Sequence, residues 1–310
     1  MSSTLQILLP VFGLVFAGYA CRRRGVLGPT CASELNRFVV WLALPALLFD
    51  SMANATWEQL YQPAFVGAFG LACAAVFAVV LVIRLLQGGH LADASVGAIA
   101  ASYPNTGYIG FPLCLLVFGP ASLAPTTIAT LLVVCVLFSI AIVLIEVGLQ
   151  SERRPHKLAL KVLRSLLRNP LIVSPIAGAL VALSGFSVPA SAETFLKLLS
   201  AAASPCALVS LGLFLAHDRP KSAVSRDTLW LTGVKLVVQP LLTWWLAARV
   251  FSLSPSLVGM AVLLSALPTG TGPYMLAEYY VRDARVTSQV ILWSTVGSLA
   301  TLSVLLHFIY

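Results

Sequence analysis

The chain has 310 residues, of which 59% are hydrophobic and 10% charged, with a mean hydropathy of +0.95. Soluble domains carry about 25% charged residues, so this composition excludes them and leaves a polytopic membrane protein. The net charge of +8 does not point to nucleic acid, because the basic residues gather in short connections between apolar runs, where they orient helices.

A crossing needs about 20 apolar residues. On that measure the sequence predicts ten transmembrane helices, near 5–21, 35–52, 63–86, 92–118, 124–149, 168–184, 193–216, 228–250, 255–281 and 286–309. The first run, Leu5 to Ala20, lacks a basic leader and is followed by Arg22-Arg23-Arg24, so it reads as a retained helix whose C-terminal end is cytoplasmic. With the N-terminus outside, every Lys and Arg except Lys197, Lys235 and Arg249 falls in a cytoplasmic connection, and both termini are expected outside. Five spans per half is an odd number. A second half that repeats the first must therefore start from the opposite face, and the repeat is inverted.

The expected organisation is an all-α membrane protein with a first repeat at 1–149, a basic cytoplasmic linker at 150–167 and a second, inverted repeat at 168–310. Leu44-Pro45-Ala46-Leu47-Leu48 in span 2 and Ser204-Pro205-Cys206-Ala207-Leu208 in span 7 sit at matching places. The cysteines Cys21, Cys31, Cys73, Cys114, Cys135 and Cys206 show no paired spacing and read as buried thiols, not as a disulfide or metal framework. No cofactor or metal is expected.

Spans 4 and 9 are interrupted at Pro104-Asn105-Thr106-Gly107 and at Pro268-Thr269-Gly270-Thr271-Gly272-Pro273. At 1.5 Å per residue, Ala92 to Pro104 climbs roughly 18 Å and Pro255 to Pro268 roughly 20 Å, so both breaks fall near the middle of a core about 30 Å thick. A freed backbone group there costs several kcal/mol, about the penalty of any unsatisfied buried polar group, unless something pairs it. Matching breaks in corresponding spans point to a substrate site, and the two crossings are expected to form an X. The half-helices that follow, about Tyr108 to Phe118 and Tyr274 to Val281, aim their amino ends at the centre, where open N–H groups and a partial positive charge favour an anion. A small carboxylate suits such a site. The candidate contacts are Pro104, Asn105, Thr106, Gly107, Tyr108, Pro268, Thr269, Gly270, Thr271 and Tyr274, with Ser102 and Ser265 a turn or less before the breaks.

Lys235 lies about nine residues, roughly 13 Å, into span 8 and is the most conspicuous intramembrane charge. It is a candidate counter-charge for the substrate or a stand-in for a coupling cation; a lysine snorkelling to the interface is the plain alternative. Asp50, Glu146, Glu278 and Arg249 sit near span ends, where such groups stay hydrated. Tyr19, Trp41, Trp57, Tyr61, Trp244, Trp245 and Tyr310 read as interfacial anchors.

The segment Ala101-Ser102-Tyr103-Pro104-Asn105-Thr106-Gly107-Tyr108-Ile109-Gly110-Phe111-Pro112-Leu113, with Leu267-Pro268-Thr269 and Ala277-Glu278-Tyr279-Tyr280 in span 9, resembles the auxin efflux carrier family of permeases. Leu35-Asn36-Arg37-Phe38-Val39-Val40-Trp41-Leu42-Ala43-Leu44-Pro45-Ala46 is similar to that family's second span, so the likeness covers nearly the whole chain. The resemblance implies scaffold spans 1, 2, 6 and 7, a transport domain of spans 3–5 and 8–10, and an elevator-like alternating-access mechanism. It further implies a bacterial cytoplasmic-membrane permease for an organic anion such as malonate or malate, and a homodimer formed through the scaffold. Span 9 carries Thr269-Gly270-Thr271 where many relatives place an asparagine or another polar residue.

No paired mid-span aspartates, no His-Glu-x-x-His helix and no nucleophile with a deep base occur in the sequence, and the reading is not that of an enzyme. Two alternatives stand beside a permease: a channel, which large unitary currents would reveal, and a sodium-coupled symporter of the bile-acid type, which wants carboxylates beside the crossover. The sequence offers few there, which favours proton coupling or facilitated movement.

Overall fold

A computed structural model describes the chain except for Met1, Trp57, Gln59, Leu60, Tyr310 and residues 150–159, 161–162, 165–166, 186–187 and 217–223. Most of the expected linker at 150–167 lies outside the described residues, as do Arg153, Arg154, Lys157, Lys161, Arg219, Lys221 and the anchors Trp57 and Tyr310.

Every regular element among the described residues is helical. In chain order these are α1 (Ser2–Arg23), α2 (Cys31–Ala53), α3 (Pro63–Leu86), α4 (Leu91–Ser102), α5 (Thr106–Phe118), α6 (Pro120–Gly148), α7 (Pro170–Ser184), α8 (Ala190–Leu215), α9 (Arg226–Val250), α10 (Pro255–Ser265), α11 (Gly272–Tyr279) and α12 (Arg285–Ile309). Six of them, α2, α3, α6, α8, α9 and α12, are long and apolar enough to cross a membrane, while α4, α5, α7 and α10 are shorter apolar helices. Polar caps start several: Asn169 Oδ1 accepts from Leu171 N at 3.0 Å ahead of α7, and Ser225 Oγ accepts from Thr228 N at 3.1 Å ahead of α9. Each satisfies a first-turn amide that the helix leaves open.

Among the described residues, π turns occupy Val39–Ala43, Thr106–Gly110, Leu132–Leu137, Val234–Val238 and Leu246–Val250. Three of them end two residues before a proline, namely Pro45, Pro112 and Pro240. Proline lacks an amide hydrogen and its ring presses on the carbonyl four residues back. A turn in which carbonyls accept from five residues ahead needs no donor from the proline and moves the crowded oxygen aside.

The helices gather into two compact units. The first comprises Met1–Gln62, Gly107–Thr127 and Asn169–Ser222, and so holds α1, α2, α7, α8 and most of α5. Its helices meet through small residues: a Cβ on Gly18 of α1 would strike the Val209 carbonyl of α8, one on Gly212 of α8 would strike the Val15 carbonyl of α1, and one on Gly178 of α7 would strike the Phe49 carbonyl of α2. Lipid supplies no hydrophobic drive between helices, so close backbone approach at such positions is what gives them dispersion contact. Polar pairs add to it, with Ser51 Oγ 3.1 Å from Thr127 Oγ1 and the Tyr108 hydroxyl donating to Asn36 Oδ1.

The second unit comprises Pro63–Thr106, Ile128–Arg168 and Ala223–Tyr310. α4 runs through its interior, with every residue from Ala94 to Ser102 buried. These are mainly Ala, Ser and Gly, which lets α3, α6 and α12 pack close around it. Gly148 at the end of α6 would set a Cβ 2.9 Å from Ala92 N. α10 is buried from Met260 onward, continuing through Gly270.

Candidate functional site

The first interruption is Tyr103-Pro104-Asn105, between α4 and α5, and the second is Ala266 to Thr271, between α10 and α11. The two second half-helices therefore begin at Thr106 and Gly272, each two residues earlier than the sequence suggested. Within the second unit the two interruptions meet as an antiparallel bridge that pairs Pro104 with Thr269. Asn105 N donates to Pro268 O at 2.8 Å, and Gly270 N donates to Tyr103 O at 3.0 Å. Pro104 and Thr269 thus occupy a non-hydrogen-bonded pair, the position in an antiparallel ladder where no N–H of either residue points across. A proline fits there without leaving a hole in the pairing. The four backbone groups that the breaks would otherwise strand in an apolar interior satisfy one another.

Neighbouring side chains fix this crossing. Thr269 N donates to Ser294 Oγ of α12 at 3.0 Å, and Thr269 Oγ1 donates to Ala100 O of α4 at 2.8 Å. The Thr269 hydroxyl proton is thereby committed to α4. Ser102 Oγ and Ser265 Oγ donate to Ala98 O and Val262 O of their own helices, so neither hydroxyl proton is offered outward. The Tyr103 ring lies over Gly270 and Gly272 and contacts Phe138, the ring centroids 6.0 Å apart at 59°.

Pro104, Asn105, Thr106, Pro268, Thr269 and Gly270 are thus brought together and buried. Thr271 and Tyr274 are partly exposed at the start of α11. Gly107 and Tyr108 continue α5 as part of the first unit, where the Tyr108 hydroxyl is taken up by Asn36. Lys235 is fully buried, and its ammonium donates to Ser265 O at 2.7 Å; the side chain does not snorkel. No group of three His, Cys, Asp or Glu side chains suited to a metal occurs among the described residues.

A family model described as a membrane transport protein matches residues 4–306. The chain belongs to this family, that of the auxin efflux carriers. A "putative malonate transporter" of Rhizobium meliloti is 31% identical over 310 residues, covering 100% of this chain and 97% of the relative. The uncharacterized transporter YfdV of Escherichia coli K12 is 25% identical over 304 residues, covering 95% and 94%. The auxin efflux carrier component 3a of rice is 31% identical over 140 residues, 41% of this chain and 22% of the relative. The protein is a membrane transporter.

In this auxin efflux carrier relative, Tyr103, Gln239 and Ser294 were not among the sequence candidates, yet Tyr103 O accepts from Gly270 N, Ser294 Oγ accepts from Thr269 N and Gln239 Nε2 donates to Ser102 O. Gln239 carried a signal, since it stands four residues after Lys235 in an otherwise apolar run. Glu146 was expected near the water interface, yet it is only 1% exposed, and the Tyr280 hydroxyl donates to its carboxylate at 2.7 Å. The signal was Tyr280, the first residue of the α11–α12 connection. That connection is further tied by Arg282, whose Nε donates to Asp93 Oδ1 at 2.7 Å. The paired carboxylate raises the Arg282 guanidinium above its ordinary value.

Proposed function

We propose that this transporter carries a small organic anion, a mono- or dicarboxylate of the malonate or malate kind, by elevator-like alternating access. The supporting observation is the ladder between the two interruptions, with α5 starting at Thr106, two residues after Pro104, and α11 at Gly272, three residues after Thr269. Two helix amino ends that flank the bridge offer N–H groups and partial positive charge to an anion without a fixed cation that would retain it. Asn105 and Thr271 supply side-chain donors beside them, and Tyr274 lies in the first turn of α11. The full-length similarity to a "putative malonate transporter" supports a carboxylate.

In this reading residues 1–149 and 168–310 are inverted repeats of five spans each, giving ten in all, with 150–167 as the cytoplasmic linker. Spans 1, 2, 6 and 7, which are α1, α2, α7 and α8, are the scaffold and the surface for a homodimer, and spans 3–5 and 8–10 carry the substrate. The protein resides in a bacterial cytoplasmic membrane with both termini outside.

The test is uptake of labelled malonate, malate and succinate into proteoliposomes, with sodium and proton gradients imposed separately. Saturable uptake and counterflow are expected, and Asn105→Ala abolishes them while the protein still inserts. Normal uptake by that variant removes Asn105 from the site, and large unitary currents would replace the carrier by a channel.

A further inference from the structure

Lys235 and Gln239 stand one turn apart on α9, both fully buried, and each reaches a different interrupted helix. Lys235 Nζ donates to Ser265 O at 2.7 Å, while Gln239 Nε2 donates to Ser102 O at 3.0 Å. Ser102 and Ser265 are the last helical residues of α4 and α10. Their carbonyls belong to the set that a helix cannot pair within itself. Gln239 Nε2 also lies 3.2 Å from Cys73 Sγ of α3, and Gln239 Oε1 has no partner.

We infer that Lys235 and Gln239 are the positioning pair of the crossing: two donors on one helix cap the carboxyl ends of both first half-helices and so set the register in which Pro104 faces Thr269. Ser102 precedes Pro104 by two residues and Ser265 precedes Thr269 by four, so a shift at either carbonyl passes directly into the ladder. The division of labour follows from charge. A helix carboxyl end carries partial negative charge, and the ammonium of Lys235 is set against it. Its charge is therefore engaged by the protein and does not meet the passenger. The amide of Gln239 does the same work on the other half without charge. The inference rests on the crossing being the substrate site.

Two measurements on the full-length protein test it. In amide hydrogen exchange, Gln239→Leu speeds exchange about tenfold over residues 101–107, the effect expected of one lost buried hydrogen bond, and also at Gly270, whose amide donates to Tyr103 O, while the rest of 264–272 is nearly unchanged. Lys235→Met does the reverse, and Lys235→Gln, which keeps a donor, falls between. No change in either segment, or an equal change across all helices, overturns the inference. In proteoliposomes, Lys235→Gln raises KM about tenfold for the dianion malonate and for the monoanion malonamate alike, with Vmax per folded protein within about twofold of the parent. A rise confined to malonate would mean that the ammonium meets the substrate, and would overturn the inference too. If the parent carries neither compound, the anion reading fails, while hydrogen exchange still decides the role of the pair.

Discussion

The Tyr103 ring rests against Gly272: a Cβ built on that glycine would lie 2.8 Å from Tyr103 Cζ and 3.0 Å from its hydroxyl oxygen. The ring also contacts Phe138, so moving it away from Gly272 disturbs that contact. Gly272→Ala is expected to destabilise the crossing by about 1–3 kcal/mol, the range for an extra methyl in a packed site. Uptake falls at least about tenfold in proteoliposomes. Combining it with Tyr103→Leu costs less than the sum of the two single changes, because they share one contact.

Pro104→Ala adds an amide hydrogen at a ladder position that has no acceptor for it and removes the ring that stops α4. The substituted segment can extend α4 by another turn, which breaks the Asn105 to Pro268 bond. The expected outcome is a folded, inserted protein of nearly unchanged helical circular dichroism with no saturable uptake. Uptake near that of the parent would mean the ladder forms without the proline.

Tyr280→Phe removes a donor from the buried carboxylate of Glu146. A hydrogen bond to a charged group contributes about 1.5–3 kcal/mol, and the half-buried position of Tyr280 places this one at the low end. Thermal unfolding in detergent reads the loss. Adding Glu146→Gln recovers part of it, since an amide is easier to leave short of a donor than a carboxylate.

Val281 has φ +54° and is 89% exposed, a left-handed conformation that a β-branched side chain resists. Val281→Gly relieves that strain and is expected to stabilise the protein by about 1 kcal/mol, seen as a higher midpoint of thermal unfolding.

In the same connection the Arg285 guanidinium holds Asp283 below its ordinary value of 3.8. A carboxylate depressed in the folded state stabilises fully above its unfolded value and loses that contribution as pH falls through the folded one. Asp283→Asn should therefore flatten the midpoint against pH only below about 4. The pair is largely solvated, so the effect is small and is screened by salt.

Where helices fall was legible in the sequence because long apolar runs fold as helix in a membrane protein, although only six helices among the described residues are long and apolar enough to cross, and the breaks were legible because proline and glycine disrupt a helix. The register of the crossing was not. Nothing in Pro104-Asn105 or Pro268-Thr269 says which residue opposes which, since Ser102 lies two residues before Pro104 and Ser265 three before Pro268, and the bridge pairs Pro104 with Thr269. The fate of hydroxyls was hidden for a similar reason. Thr269, Ser102 and Ser265 look like ligand donors in a list of polar residues, but each gives its proton to a carbonyl that only the fold brings near. Lys235 was conspicuous by charge, while its acceptor, a backbone oxygen 30 positions away, has no side-chain signature.

The bridge between the interruptions rests on two reciprocal backbone bonds, each segment donating one amide and accepting one in return. These two bonds borrow nothing from water, so in the elevator mechanism proposed above they stay intact wherever along the bilayer normal the unit rests. On that reading the hydration stripped from the cargo adds to the barrier, and compounds that shed water more readily should travel faster.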